Sequence, residues 1–162
     1  MEVSCLVWAQ ALLDIFYDFI KEESDSDLEG PKKLPNLPFH VPQFRFVKAA
    51  IAIEQSSSTS VKKTSFLLEE VIDPNMEGPF RKFLNNVSPE PLVMKTKDDE
   101  ERARFLAFSQ HVQYWKTKKQ VFVSDYQGKQ SIIYDFNQCL TALFPLAGGN
   151  MLLSDPQILS AG

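Results

Sequence analysis

The tetrapeptide Asp125-Tyr126-Gln127-Gly128 follows the apolar run Val121-Phe122-Val123-Ser124, so a strand delivers a carboxylate to the start of a glycine turn. Phosphoryl transfer uses groups of this kind. A rigid carboxylate holds the metal that bridges phosphates, and glycine lets the backbone come close. An Asp at a strand end is more often a plain turn residue, so the tetrapeptide carries weight only in company. One companion is Ser154-Asp155-Pro156-Gln157-Ile158, in which Asp-Pro starts a turn and Asp155 can accept the proton of an attacking hydroxyl. Another is Phe66-Leu67-Leu68-Glu69-Glu70-Val71 followed by Phe80-Arg81-Lys82-Phe83-Leu84-Asn85-Asn86. A strand, an acidic pair, a turn and a basic-aromatic-Asn segment in that order can line a nucleotide cleft. The common local fingerprints are missing: no Gly-rich phosphate loop with Lys-Ser/Thr, no HExxH, no paired CxxC, no GxSxG, and neither HRD nor DFG.

The elements that must position these residues can be read from periodicity and breakers. A helix is predicted from about Ser4 to Glu22, with Trp8, Leu12, Ile15 and Phe19 at helical spacing, Cys5 near that face, and Asp14, Asp18 and Lys21 on the other side. Residues 23–42 read as an acidic, Pro-rich linker, a solvated loop or alternatively a partner or phosphorylation site. Phe44 to Ile53 is largely apolar on both faces and predicts a central strand. After a polar turn over Gln55 to Ser60, Ser65 to Ile72 predicts a second strand in antiparallel register. Pro74 and Gly78 break the chain, and Pro79 to Asn85 predicts a short helix. Asp98, with Glu101 three residues on, predicts the N-cap of a second long helix. Its apolar face is Phe105, Leu106, Phe108 and Val112, and its end falls near Tyr114 or Trp115. Val121 to Ser124 is a strand that stops at Asp125. With no internal repeat, the fold class is α+β, an antiparallel sheet with flanking helices.

Composition bounds the rest. At 162 residues, 44% hydrophobic and 12% aromatic, the chain supports one packed domain or a large part of one. A net charge of -4 and a pI near 5.2 argue against a nucleic-acid partner, while local cations and a metal can still bind a nucleotide. Cys5 and Cys139 are too few and too far apart for a disulfide framework or a self-contained zinc site, and read as reduced thiols. Glu2 and the lack of early Lys or Arg spoil a signal peptide. No uninterrupted run reaches the roughly 18 apolar residues of a membrane span. The expectation is a cytoplasmic chain in a reducing compartment, with no membrane partner.

Taken together, the ordered segments resemble the alpha-kinases, the atypical family of myosin heavy chain kinase, elongation factor 2 kinase and the channel-kinases. The matching stretches are Leu68-Glu69-Glu70, Phe80 to Asn86, Ala107-Phe108-Ser109 with His111, Asp125 to Gly128, and Ser154 to Ile158. The wording of the motifs looks closest to the fungal branch. The resemblance implies a two-lobed, ATP- and Mg-dependent serine/threonine protein kinase fold, with ATP and a protein as substrates. By position it implies that Glu69, Glu70 and Val71 contact adenine and that Lys82 and Asn86 face phosphates or substrate. Asp125 and Gln127 would organise Mg and phosphate, Asp155 would orient the Ser or Thr hydroxyl, and His111 would be one ligand of the family's structural Zn.

Three departures from the family pattern set further expectations. The resemblance implies a nucleotide-binding Lys on a strand before the first helix, and a Gly-rich loop, a His and Cys-x-x-x-Cys after Asp-Pro-Gln; none is in this sequence, so the domain, 1–162, is expected to be incomplete and its Zn unsupported. The family also keeps the two aspartates ten residues apart, whereas Asp125 and Asp155 are thirty apart. Removing residues 129–148 restores the spacing, and that segment reads as a translated intron: Gly128-Lys129 is compatible with a GTAAG donor and Ala147-Gly148 with a CAG acceptor. Its apolar stretch, Ile132 to Leu146, is expected to drive the two carboxylates apart and abolish activity. The alternative to a kinase is a catalytically dead, pseudokinase-like fragment that acts at most as a protein-interaction module.

Overall fold

Four Phe, Leu and Ala positions in the first helix set the centre of the molecule. In a computed structural model, which describes residues 2–25, 41–54, 64–72, 79–130 and 151–160, helix α1 spans Glu2–Asp25. Leu6, Ala9, Leu13 and Phe16, joined by Leu12, are its buried face. The expected face is therefore corrected by about one residue: Leu12 is inside, but Trp8 is 64% exposed and Ile15 also faces outward. The helix carries two apolar stripes, and the one with the smaller side chains fits the close approach to α2, which spans Lys97–Lys116. Phe16 packs edge-on against Phe105 and Phe108 at 5.0 and 5.7 Å, each contact worth about 1 kcal/mol beyond area burial. Val3–Glu23 is also long and apolar enough to cross a membrane by length and composition, with mean hydropathy 1.5, which corrects the expectation that no segment meets that test. A core helix meets it as well, and the buried face of α1 packs inside this fold.

The predicted Phe44–Ile53 strand is split. β1 is Phe44–Phe46 and β2 is Ala49–Ile53, and they join different sheets. β2 pairs antiparallel with β3, Ser65–Glu69, from Ala49 opposite Glu69 to Ile53 opposite Ser65. The hairpin was expected; its placement as a central strand was not borne out, since Ile51, Ile53, Phe66 and Leu68 are more than half exposed. The predicted helix over Pro79–Asn85 is also corrected. Arg81–Lys82 is a short strand, β4, because its backbone finds partners in a strand more than forty residues away. The polar turn 55–60, the breakers Pro74 and Gly78, most of the 23–42 linker and Cys139 lie outside the described residues.

The other strands are β5 (Val121–Ser124), β6 (Gln127–Gln130), β7 (Met151–Ser154) and β8 (Gln157–Ser160). A four-stranded sheet runs in the order β1-β7-β6-β4, parallel only between β1 and β7, and β5 pairs separately with β8. The class is α+β, as expected. Both long helices cover open strand edges with polar side chains, which blunts an edge that would otherwise seek another chain. Gln10 Oε1 accepts from Phe46 N–H at 2.9 Å, and Tyr17 Oη accepts from Phe44 N–H at 2.7 Å while donating to the Pro42 carbonyl at 2.8 Å. Burial around Tyr17 pushes its phenol well above the ordinary value.

Thr96, not Asp98, is the N-cap of α2: its hydroxyl accepts from Asp99 N–H at 3.2 Å and donates to the Asp99 carboxylate at 2.6 Å. Asp99 is almost fully buried and also pairs with Arg81 on β4 and Arg102 on its own helix. Asp99→Ala would leave two partly buried guanidiniums without that anion, so a loss of about 2 kcal/mol is expected, with Asp99→Asn intermediate. Denaturant unfolding of the three proteins checks this.

Candidate active site

β5 runs into β6 and β7 runs into β8 through two residues each, and the first of each pair lies in the left-handed region. Those residues are Asp125 at φ 58° and Asp155 at φ 46°. Such a backbone strains a residue with a Cβ, and Asp and Asn tolerate it better than most. The two kinks face each other across an antiparallel ribbon. Ser124 pairs with Gln157 on one side of the break and Gln127 with Ser154 on the other. Two aspartates thirty residues apart in sequence thus stand at one place in the fold.

Lys82 arrives from the edge of the same sheet, because β4 places it directly opposite Gln127. Its ammonium pairs with Asp125 Oδ1. Gln127 Nε2 lies 3.3 Å from Asp155 Oδ2, and Asn86 Nδ2 donates to Gln157 Oε1 at 2.8 Å. The segment Phe80 to Asn86 divides its labour. Phe83 and Leu84 are buried core, and Asn85 Oδ1 accepts from Val87 and Ser88 N–H to hold the turn. Lys82 and Asn86 face outward into the site. Asp125 is buried and Asp155 exposed, so the two carboxylates meet different environments.

Gly128 answers a steric need. A Cβ there would stand 2.0 Å from the Leu152 carbonyl oxygen, so only glycine lets β6 and β7 approach in this register. Lys129 and Gln130, the first residues of the expected 129–148 insert, belong to β6 and pair with Leu152 and Met151; the remainder of that segment lies outside the described residues. The expectation that it separates the carboxylates does not hold. The connection leaves from the far end of the hairpin, and the rungs between hold Gln127 beside Asp155.

The expected adenine segment is engaged differently. Glu69 ends β3, Val71 is 78% exposed, and Glu70 takes both guanidinium nitrogens of Arg45 at 2.7 Å each. Lys48 N–H also donates to the Glu70 carboxylate, and Glu70 N–H to the Lys48 carbonyl. Arg45 sits on the sheet rung Arg45-Leu152-Lys129, on the face that also carries Gln127 and Lys82 by strand alternation. Arg45, which holds Glu70, therefore shares a sheet face with Lys82 and Gln127. The Arg45 guanidinium holds the Glu70 carboxyl at about 2, below its ordinary value. A depressed acid contributes stability above its unfolded pKa and loses it as pH falls through the folded one. The pair is expected to weaken between about pH 5 and pH 2. Glu70→Gln should flatten the stability–pH curve in that window, as read by thermal melts across the range.

His111 is exposed on α2, neither buried in the core nor gathered with ligands. Among the described residues no three His, Cys, Asp or Glu side chains come together to hold a metal, so these residues do not form the family's zinc site. A divalent cation at the ribbon break fits better. Asp125 Oδ1 is buried and accepts no hydrogen bond of regular geometry among the described residues, although the Lys82 ammonium stands against it. A hard, oxygen-seeking ion is the partner such an atom suits.

Periodicity did not single out the polar residues that brace this turn. Ser109, Gln110 and Gln113 are buried on α2, on the same face as Leu106. Their spacing of three, four and seven from Leu106 was the available signal, since polar residues on an apolar stripe need buried partners. Those partners are Val123 and Tyr126, on either side of Asp125. Desolvation pushes the Tyr126 phenol up to about 12, against hydrogen bonds from Ser109 and Gln113 that act the other way.

A search of curated proteins finds no match to this chain. The alpha-kinase family model matches residues 2–162, and the chain belongs to that family of protein kinases, whose members use ATP and a divalent metal.

Proposed function

We propose that this site transfers the γ-phosphoryl group of ATP, with Mg as the divalent ion, to the hydroxyl of a Ser or Thr in a protein substrate. The observation that supports it most directly is the pairing of a buried and an exposed aspartate at one break in a ribbon, with Lys82 between sheet edge and carboxylate. Asp125 and Gln127 Oε1 would hold the Mg, which when bound neutralises phosphate charge. Lys82, exposed enough to reach an anion, binds phosphate oxygens. Asp155 faces solvent, where a protein hydroxyl arrives, and orients that hydroxyl while accepting its proton. Gln127 Nε2 keeps the Asp155 carboxylate turned toward the site. Asn86, held by Gln157, borders the substrate side. Adenine is assigned to the Glu69–Val71 segment, and the working compartment to the cytoplasm, with neither nucleic acid nor a membrane as partner.

The test is incubation of the purified chain with γ-labelled ATP, Mg²⁺ and a Thr-containing peptide. Label on the Thr, lost in Asp155→Asn, supports the reading; no label at protein in excess over peptide sinks it. A second reading, a non-catalytic interaction module, draws on the engagement of Glu70 by Arg45 and Lys48, which occupies part of the expected adenine segment. It predicts no ATP-dependent rise in melting temperature.

A further inference from the structure

We propose that Gln113 is a positioning residue for phosphoryl transfer, bolting both flanks of the Asp125 kink to helix α2. This rests on the kinase reading of Asp125. Gln113 is fully buried and uses both ends of its amide. Its Oε1 accepts from Val123 N–H at 2.9 Å, and its Nε2 donates to Tyr126 Oη at 3.1 Å. One residue therefore grips the chain two positions before Asp125 and one position after it.

Neighbours complete the grip. Gln110 Nε2 donates to the Val123 carbonyl at 2.8 Å, so the free edge of β5 pairs with helix side chains where another strand would normally lie. Ser109 Oγ is 3.2 Å from Tyr126 Oη and donates to the Leu106 carbonyl at 2.7 Å. The Tyr126 carbonyl in turn accepts from Phe83 N–H at 2.8 Å, directly after Lys82. The path from Gln113 through Tyr126 thus ends on the two residues whose charges meet, Asp125 and Lys82. A left-handed aspartate relaxes unless its surroundings fix it, and a carboxylate that coordinates an ion loses function with small displacements.

Gln113→Met keeps length and removes both hydrogen bonds. Gln113→Glu keeps an acceptor for Val123 N–H. Leu13→Ala, in the core of α1 and without a hydrogen bond to the kink from its side chain, serves as a destabilised control. Two readouts on the full chain are compared: Mn²⁺ affinity by electron paramagnetic resonance, and amide exchange at Asp125, Tyr126 and Gln127. Gln113→Met is expected to weaken Mn²⁺ binding about tenfold and speed exchange at those amides about tenfold, with Phe44–Phe46 unchanged. Gln113→Glu should recover part of both, and Leu13→Ala should move neither selectively. Equal exchange at the kink in Gln113→Met and wild type overturns the proposal, as does an equal loss of Mn²⁺ affinity in Leu13→Ala. If the wild-type chain itself binds no Mn²⁺, the kinase reading of Asp125 fails, and the exchange data alone decide whether Gln113 fixes the kink.

Discussion

Asp155→Asn is expected to reduce phosphoryl transfer by about a thousandfold while leaving the melting temperature within about one degree of wild type. The reasoning starts from the backbone. Asp155 sits at φ 46°, where Asn is tolerated as well as Asp, so the substitution leaves the kink between β7 and β8 in place. The side chain is exposed, so no buried contact is lost. What disappears is the group that accepts a proton, and the amide is isosteric with it. Nucleotide affinity should stay within about threefold, because Lys82 and Asp125 are untouched. A stopped assay of label transfer beside a thermal melt checks both halves. Equal loss of transfer and stability would mean that Asp155 acts only as a turn residue.

The second large effect is structural. Gly128→Ala sets a methyl 2.0 Å from the Leu152 carbonyl, a distance that only backbone movement can relieve. The cost is expected to be about 4 kcal/mol, at the severe end for a single substitution. At this chain length that lowers the melting temperature by about 12 °C. Because β6 must move away from β7, the rung Gln127-Ser154 opens and the spacing between Gln127 and Asp155 is lost with it. Loss of activity should therefore accompany loss of stability, unlike in Asp155→Asn. A Gly128→Ala protein that melts as wild type would show that the two strands do not pack in this register.

The gathering of the candidate residues was partly legible in sequence. Asp125, Gln127, Asp155, Lys82 and Asn86 stand in short motifs at strand ends, and the structure brings all five to one ribbon break. The hairpin of β2 and β3 and both long helices were legible too, since each follows from local periodicity. The misses have a common cause. The break at Val47-Lys48 falls in a segment that is apolar apart from Arg45 and Lys48, and partners distant in sequence divide it: Val47 N–H donates to the Leu153 carbonyl, while the Lys48 carbonyl accepts from Glu70 N–H. Arg81–Lys82 becomes a strand through Gly128 and Gln127, partners that a local window does not contain. Thr96 and Asp98 are both good caps with an acid three residues on, and Thr96 is the one used, with its acid, Asp99, also paired to the distant Arg81. The buried face of α1 is offset from the one that helical spacing alone predicts: Trp8 is large and lies outside, Ala9 is small and lies inside.

The Gln130–Met151 end of the β6–β7 hairpin carries a consequence for how such a gene can change. Chain length added between Gln130 and Met151 enters at the end remote from the two kinks, roughly 10 Å from Gln127 along the strand. Excising 129–148 would set Gly149 opposite Leu152 and leave Asn150-Met151 as a two-residue turn, with the rungs nearer the aspartates unaltered. Selection acting on the reaction would then see little difference between the short and long versions. A stretch acquired by a splicing accident could persist there unnoticed, and the same location offers an engineer a port for grafting a reporter.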